Sequence, residues 1–153
     1  VYDSILVATD GSDAATAATR HAIELARRFE VPLYGIAVLE SRTEYDNAIV
    51  DPEEATRRRR EQAESTLAEF ETAAEAAGLD VETEIRSGVP HEEILAYADD
   101  RGADAIVVGS RGSSSFKRAL LGSTVDAVVR LAKRPVLVVD DADSGDETGQ
   151  NGI

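Results

Sequence analysis

Five short apolar runs alternate along this chain with stretches of helical period, and that alternation limits the available folds more than any other feature. The runs are Ile5 to Thr9, Leu33 to Leu39, Leu79 to Arg86, Ala105 to Val108 and Val136 to Val139. After the first, Ala18, Ala22, Leu25 and Phe29 recur at helical spacing, with Ser12 placed to cap the helix and Asp13 in its first turn. After the second and an aperiodic loop, Asp51-Pro52-Glu53-Glu54 supplies a cap, a proline at the first helical position and a glutamate three residues on. That helix carries Ala63, Leu67, Phe70, Ala74 and Ala77 on one face and stops at Gly78. Ser87-Gly88-Val89-Pro90 turns into a short helix with Ile94, Leu95 and Ala98 inward, and Ser123-Thr124 opens a last one with Val125, Val128, Val129 and Ala132. Strand and helix in strict alternation require right-handed parallel crossovers, hence an α/β three-layer α/β/α sandwich around a parallel sheet. The broken alternation of Leu79, Val81 and Ile85 with acids gives the third strand an edge or half-exposed position.

Such sheets bind ligands at the carboxyl ends of their strands, where the strand order reverses. That edge holds Thr9-Asp10, Leu39-Glu40, Arg86 to Val89 and the chain from Gly109 onward.

With 153 residues and 42% apolar content, one core is expected. It spans residues 1–140, and the acidic tail 141–153 has too few apolar groups to fold. Thirty acids against 16 basic residues leave a net charge of -14, which argues against nucleic acid as a partner. Only Lys117 and Lys133 are lysines. Scattered acids with so few lysines suit concentrated salt, where a Debye length of about 3 Å at 1 M screens self-repulsion. The absence of cysteine excludes disulfides, thiolate metal sites and cysteine nucleophiles. No apolar run approaches the roughly 18 residues of a membrane span and the first residues lack a secretion-signal layout, so no membrane partner and a cytoplasmic location are expected.

Arg57 to Arg60 form a basic run that resembles an anion site. Glu53 with Arg57, Glu54 with Arg58, Arg57 with Glu61 and Arg60 with Glu64 all stand four apart, so the run is expected to be compensated along a solvated helix face.

The segment with chemical content begins at Gly109-Ser110-Arg111-Gly112 and resumes, nine residues later, at Gly122-Ser123-Thr124. Gly109 and Gly112 would allow positive φ and close backbone approach to an anion, and Gly122 would leave room at a helix start whose amides favour phosphate. Ser123 and Thr124 offer hydroxyl donors or helix caps. No acid occurs between Ala105 and Val125, while Arg111, Lys117 and Arg118 do, which makes this a locally cationic loop on an anionic protein. The flanking strand and helix start account for part of that gap, and the glycines alone could make a turn. No Gly-Lys-Ser/Thr triplet occurs, and Asp10-Gly11-Ser12 is not a dinucleotide fingerprint.

The spaced pattern Gly109, Gly112, Gly122-Ser123-Thr124, with the opening Ile5 to Ser12, the turn Gly88-Val89-Pro90 and the closing Arg134 to Val139, resembles the ATP-binding branch of the universal stress protein family over residues 2 to 139. The resemblance implies an open five-stranded sheet in order 3-2-1-4-5, the adenine nucleotide alpha hydrolase-like arrangement, and a homodimer. It implies ATP, AMP or ADP in the crevice between the first and fourth strands, with Mg2+ accompanying the phosphates. Ala8, Thr9 and Asp10 would then line the nucleotide site and Val38 would meet the adenine through its backbone. Gly109, Arg111 and Gly112 would approach ribose and the first phosphates, Gly122, Ser123 and Thr124 the outer ones, and Val89 would cover the base. Arg111 stands at a position that varies among such proteins, so its contact is inferred from charge. Asp10 has two readings, a contact to ribose, base or Mg2+, and a turn residue closing on Ser12. The last strand, Val136, Leu137, Val138 and Val139, is expected at the sheet edge, where it would pair with a second copy.

Catalytic groups are sparse. His21 and His91 lie outside the glycine loop, and no nucleophile triad, two-histidine metal motif or deaminase signature is present. The expected function is a nucleotide-binding stress regulator, not an enzyme. A slow ATPase and an interaction module that binds no nucleotide are the alternatives.

Overall fold

The computed structural model describes residues 2–40, 52–111 and 121–141. In chain order the elements are β1 (Ile5–Ala8), α1 (Asp13–Phe29), β2 (Leu33–Glu40), α2 (Pro52–Ala76), β3 (Val81–Gly88), α3 (Pro90–Arg101), β4 (Ala105–Gly109), α4 (Ser123–Leu131) and β5 (Val136–Val139). The strands form one five-stranded sheet in order β3-β2-β1-β4-β5, every neighbouring pair parallel. β1 pairs with β2 on one side, Ile5 opposite Leu33, and with β4 on the other, Ile5 opposite Ala105. The order therefore reverses between β1 and β4, and a crevice opens beyond their carboxyl ends.

Period-two alternation sends neighbouring residues of each strand to opposite cores. Ile5, Val7, Leu33 and Val107 pack against Ala18, Ala22 and Ala26 of α1 and Phe70 and Ala74 of α2. Leu6, Ile36, Ile106 and Val108 pack against Ile94, Tyr97 and Ala98 of α3 and Val125 and Val128 of α4. Most of the fully buried large side chains come from β1, β2 and β4. Each contributes roughly 1.5–3 kcal/mol by leaving water, so the strands that border the crevice are the best anchored part of the molecule.

Some details differ from the expectations above. Phe29 ends the apolar stripe of α1 but is 42% exposed, its ring set edge-on to Tyr2 at 5.2 Å. Val129 is likewise exposed, on the outer face of α4. β3 begins at Val81, not Leu79. Leu79 instead closes α2: Gly78 turns left-handed at φ 83°, the Leu79 amide donates to the Ala74 carbonyl, and the Leu79 side chain packs on the first core. The inward face of α3 carries, beyond Ile94, Leu95 and Ala98, the fully buried Tyr97. Arg86 and Arg101 lie over its ring at 5.1 and 5.6 Å. The Tyr97 hydroxyl has no hydrogen-bond partner among the described residues, and burial pushes its pKa up to about 12. The expected cap Asp51 and the tail from residue 142 lie outside the described residues.

Candidate functional site

The turn from β1 into α1 is set by three consecutive polar side chains. The Thr9 hydroxyl accepts from the Gly11 amide at 3.2 Å, Asp10 Oδ1 from the Ser12 amide at 3.0 Å, and Ser12 Oγ from the Ala15 amide at 3.2 Å, which caps α1. Gly11 sits at φ 82°, a conformation that favours glycine. Asp10 therefore does act as a turn residue, and it also stands at the rim of the crevice.

Across the crevice, β4 ends at Gly109, and here the reason for glycine is different from the one anticipated. Gly109 does not have positive φ. A Cβ on it would lie 2.6 Å from the carbonyl carbon of Ala14 and 2.8 Å from the Ala15 nitrogen, so the close approach is by the first turn of α1. Ser110 then accepts from the Gly122 amide at 2.9 Å through its carbonyl, which joins the end of β4 to the start of α4. Gly122, not Ser123 or Thr124, is the N-cap of α4, at φ -67°, and no side chain caps the helix. The amides of Ser123, Thr124 and Val125 have no partner within their own helix, as at any helix start.

Around this junction lies a cavity of about 410 Å³, a size common for small-molecule sites. Its walls hold Ala8, Thr9 and Asp10 of β1 and its turn, Val38 with its neighbours on β2, Gly109 and Arg111 after β4, and Gly122, Ser123 and Thr124 at α4. These residues, widely separated in sequence, are thus brought together. Gly112 lies outside the described residues, as do Lys117 and Arg118. Val89 is not on the cavity wall; it is the N-cap residue of α3, 43% exposed, and Pro90 and Ile94 of that helix line the cavity instead. Ile36, Val38, Ile94, Val108 and Val125 give the cavity an apolar side.

Charge at the rim is more mixed than the acid-free stretch of sequence implies. Arg111 is largely buried and 3.7 Å from Asp140, which follows β5 and also accepts from the Ser110 hydroxyl at 2.8 Å. Asp10 and Glu40 stand on the same rim. Folding thus returns to the loop acids that its own sequence lacks.

One wall was not anticipated. α2 presents Arg59, Gln62, Ala63 and Thr66 to the cavity. Of the expected pairs, Glu54 with Arg58 and Arg57 with Glu61 form, and Glu54 also meets Arg57, whereas Arg60 and Glu64 do not pair. Arg59 itself turns inward. Its spacing from Ala63 and Phe70, four and then seven residues, was one available signal. His21 and His91 line no part of the cavity. No group of three or more His, Asp or Glu side chains suited to a metal ion occurs among the described residues. A phosphate-escorted Mg2+, which keeps waters and takes only one or two carboxylates, would be compatible with Asp10 alone.

The universal stress protein family model matches residues 2–140. Universal stress protein MJ0531 of Methanocaldococcus jannaschii is 35% identical over 144 residues, covering 91% of this chain and 82% of that protein. Universal stress protein UspA from Lactobacillus plantarum superimposes with a TM-score of 0.79 at 29% identity, over 90% of this chain and 97% of the other. The universal stress protein from Archaeoglobus fulgidus solved in complex with dAMP gives a TM-score of 0.67 at 27% identity, over 91% and 98% of the two chains.

Proposed function

The chain belongs to the universal stress protein family, and from that premise we propose that it binds an adenine nucleotide in the cavity between β1 and β4 and acts as a homodimeric regulator in the cytoplasm. One observation carries the reading: the cavity joins an apolar side to a helix start with unspent amides and to the Arg111 guanidinium. That is the combination a base and a phosphate chain require. A relative of the same fold binds dAMP.

In this reading Ile36, Val38 and Ile94 bury the base, and Val38 meets its edge through the backbone. Ala8 and Thr9 close the floor. The Ser123, Thr124 and Val125 amides, the two hydroxyls and Arg111 hold the phosphates of ATP. Bound phosphate would supply Arg111 with a counter-ion in place of Asp140, and Asp10 would hold an accompanying Mg2+. The histidines stand away from the cavity, which favours binding over turnover. β5 supports a dimer because it is an edge strand of apolar residues, whereas the opposite edge, β3, carries Glu82, Glu84 and Arg86. The acid excess supports adaptation to concentrated salt, so binding is best measured in about 1 M KCl.

Titration of the purified protein with ATP and magnesium tests the reading, alongside mass spectrometry of any ligand released on denaturation. Saturable binding at micromolar to submillimolar ATP is expected. No saturable signal at millimolar ATP, in a protein whose fold is intact, refutes it.

A further inference from the structure

We infer that Arg59 of α2 is a phosphate-binding residue of this cavity, a second cation supplied from the wall opposite the α4 start. The inference rests on the nucleotide reading above and adds a contact that the glycine pattern does not contain.

Placement comes first. α2 follows β2 in the chain and packs on the sheet, and its residues Arg59, Gln62, Ala63 and Thr66 line the cavity. Thr66 marks where it meets the β1 turn, since its hydroxyl lies 3.3 Å from where a Cβ on Gly11 would stand. Arg59 is seven residues earlier, about 10 Å along the axis and on the same face, and also lines the cavity. Gln62 and Thr66 extend this polar strip.

Chemistry then narrows the partner. The Arg59 Nε is buried and has no hydrogen-bond partner among the described residues. No carboxylate pairs with this guanidinium among the described residues, although Arg57 and Arg58 beside it are both paired and the protein has a large excess of acids. A buried N–H without an acceptor is unfavourable, and the positive charge of this half-buried side chain has no counter-ion among the described residues. A neutral acceptor such as a ribose hydroxyl would answer only the first deficit. A phosphate oxygen answers both, and the planar guanidinium can meet it with two donors. Solvated surface arginines need no such partner, which is why Arg58, exposed one residue away, is the proper control.

The test is a ligand ladder of adenosine, AMP, ADP and ATP, each titrated calorimetrically into the unmutated protein, Arg59→Gln, Arg59→Lys and Arg58→Gln. Arg59→Gln is expected to weaken ATP binding by about tenfold or more while leaving adenosine within about twofold. Arg59→Lys should recover part of the loss, and Arg58→Gln should match the unmutated protein. Thermal melts of each variant confirm that it is folded. Equal losses for adenosine and ATP would place Arg59 on the base or ribose and overturn the phosphate assignment. Unchanged ATP affinity in folded Arg59→Gln, with normal binding by the unmutated protein, overturns the inference but leaves the nucleotide reading standing. Failure of the unmutated protein to bind any of the four overturns both.

Discussion

Substituting Gly109 by alanine separates two reasons for a glycine in this loop, access for a ligand and access for a helix. The new methyl would meet the peptide joining Ala14 to Ala15, at 2.6 Å from one carbon and 2.8 Å from the adjacent oxygen and nitrogen. Reaching 3.4 Å, the near limit of ordinary contact, requires α1 to retreat by about 0.8 Å. Overpacking of this kind costs about 1–3 kcal/mol, and the upper half of that range is expected because the obstacle is backbone, not a side chain that can change rotamer. For a domain of this size about 2 kcal/mol lowers the melting temperature by roughly 4–8 °C. Retreat of α1 also moves Ala15, which lines the cavity, and Ser12, which caps the helix. Urea unfolding at fixed salt should therefore show a lower midpoint with an unchanged slope, in the absence of any nucleotide. Stability within about 0.5 kcal/mol of the unmutated protein would refute the helix-approach argument and return Gly109 to the ligand.

Three other substitutions test separate parts of the structure. Ser12→Ala removes the cap of α1 and should cost about 1 kcal/mol; an unchanged melting temperature would show that the Ala15 amide finds another acceptor. Tyr97→Phe deletes a buried hydroxyl that has no hydrogen-bond partner among the described residues, and should be neutral or stabilising at pH 7. Because the folded phenol is raised to about 12 from its ordinary 10, its contribution is present below pH 10 and lost as pH rises toward 12. The unmutated protein should thus lose about 1 kcal/mol more than Tyr97→Phe between pH 9 and pH 11, and parallel losses in urea unfolding would exclude Tyr97 as the cause. Leu137→Lys places a charge on the exposed side of β5, where Leu137 is 39% accessible, and should shift the protein from dimer to monomer in sedimentation with little change in melting. A monomeric unmutated protein at micromolar concentration would remove β5 as an interface.

Fold and cavity were not equally legible in the sequence. The parallel sandwich followed from element alternation because each run was either buried on both sides, like Ile106 to Val108, or bounded by clear turn residues, and the strand order followed from the family resemblance alone. Leu79 was misread because an apolar residue after a left-handed glycine closes a helix as readily as it opens a strand. On the cavity, the β1, β4 and α4 walls are carried by short motifs next to strand ends, which local sequence announces. The α2 wall is carried by single residues on a long helix, where acids stand three or four residues from Arg57, Arg58 and Arg60 but not from Arg59. That missing partner and the phase of Ala63 and Phe70 both single out Arg59. Asp140 was invisible as a neighbour of Arg111 because only the pairing of β4 with β5 brings them together.

The hydrogen bond from the Gly122 amide to the Ser110 carbonyl has a further consequence. It fixes where α4 begins relative to the sheet without reference to the nine residues between Gly112 and Gly122. Closure entropy grows only slowly with contour length, about 0.6 kcal/mol for each doubling. The composition of that interval can therefore change without moving the start of the helix, whatever its length contributes to the ligand.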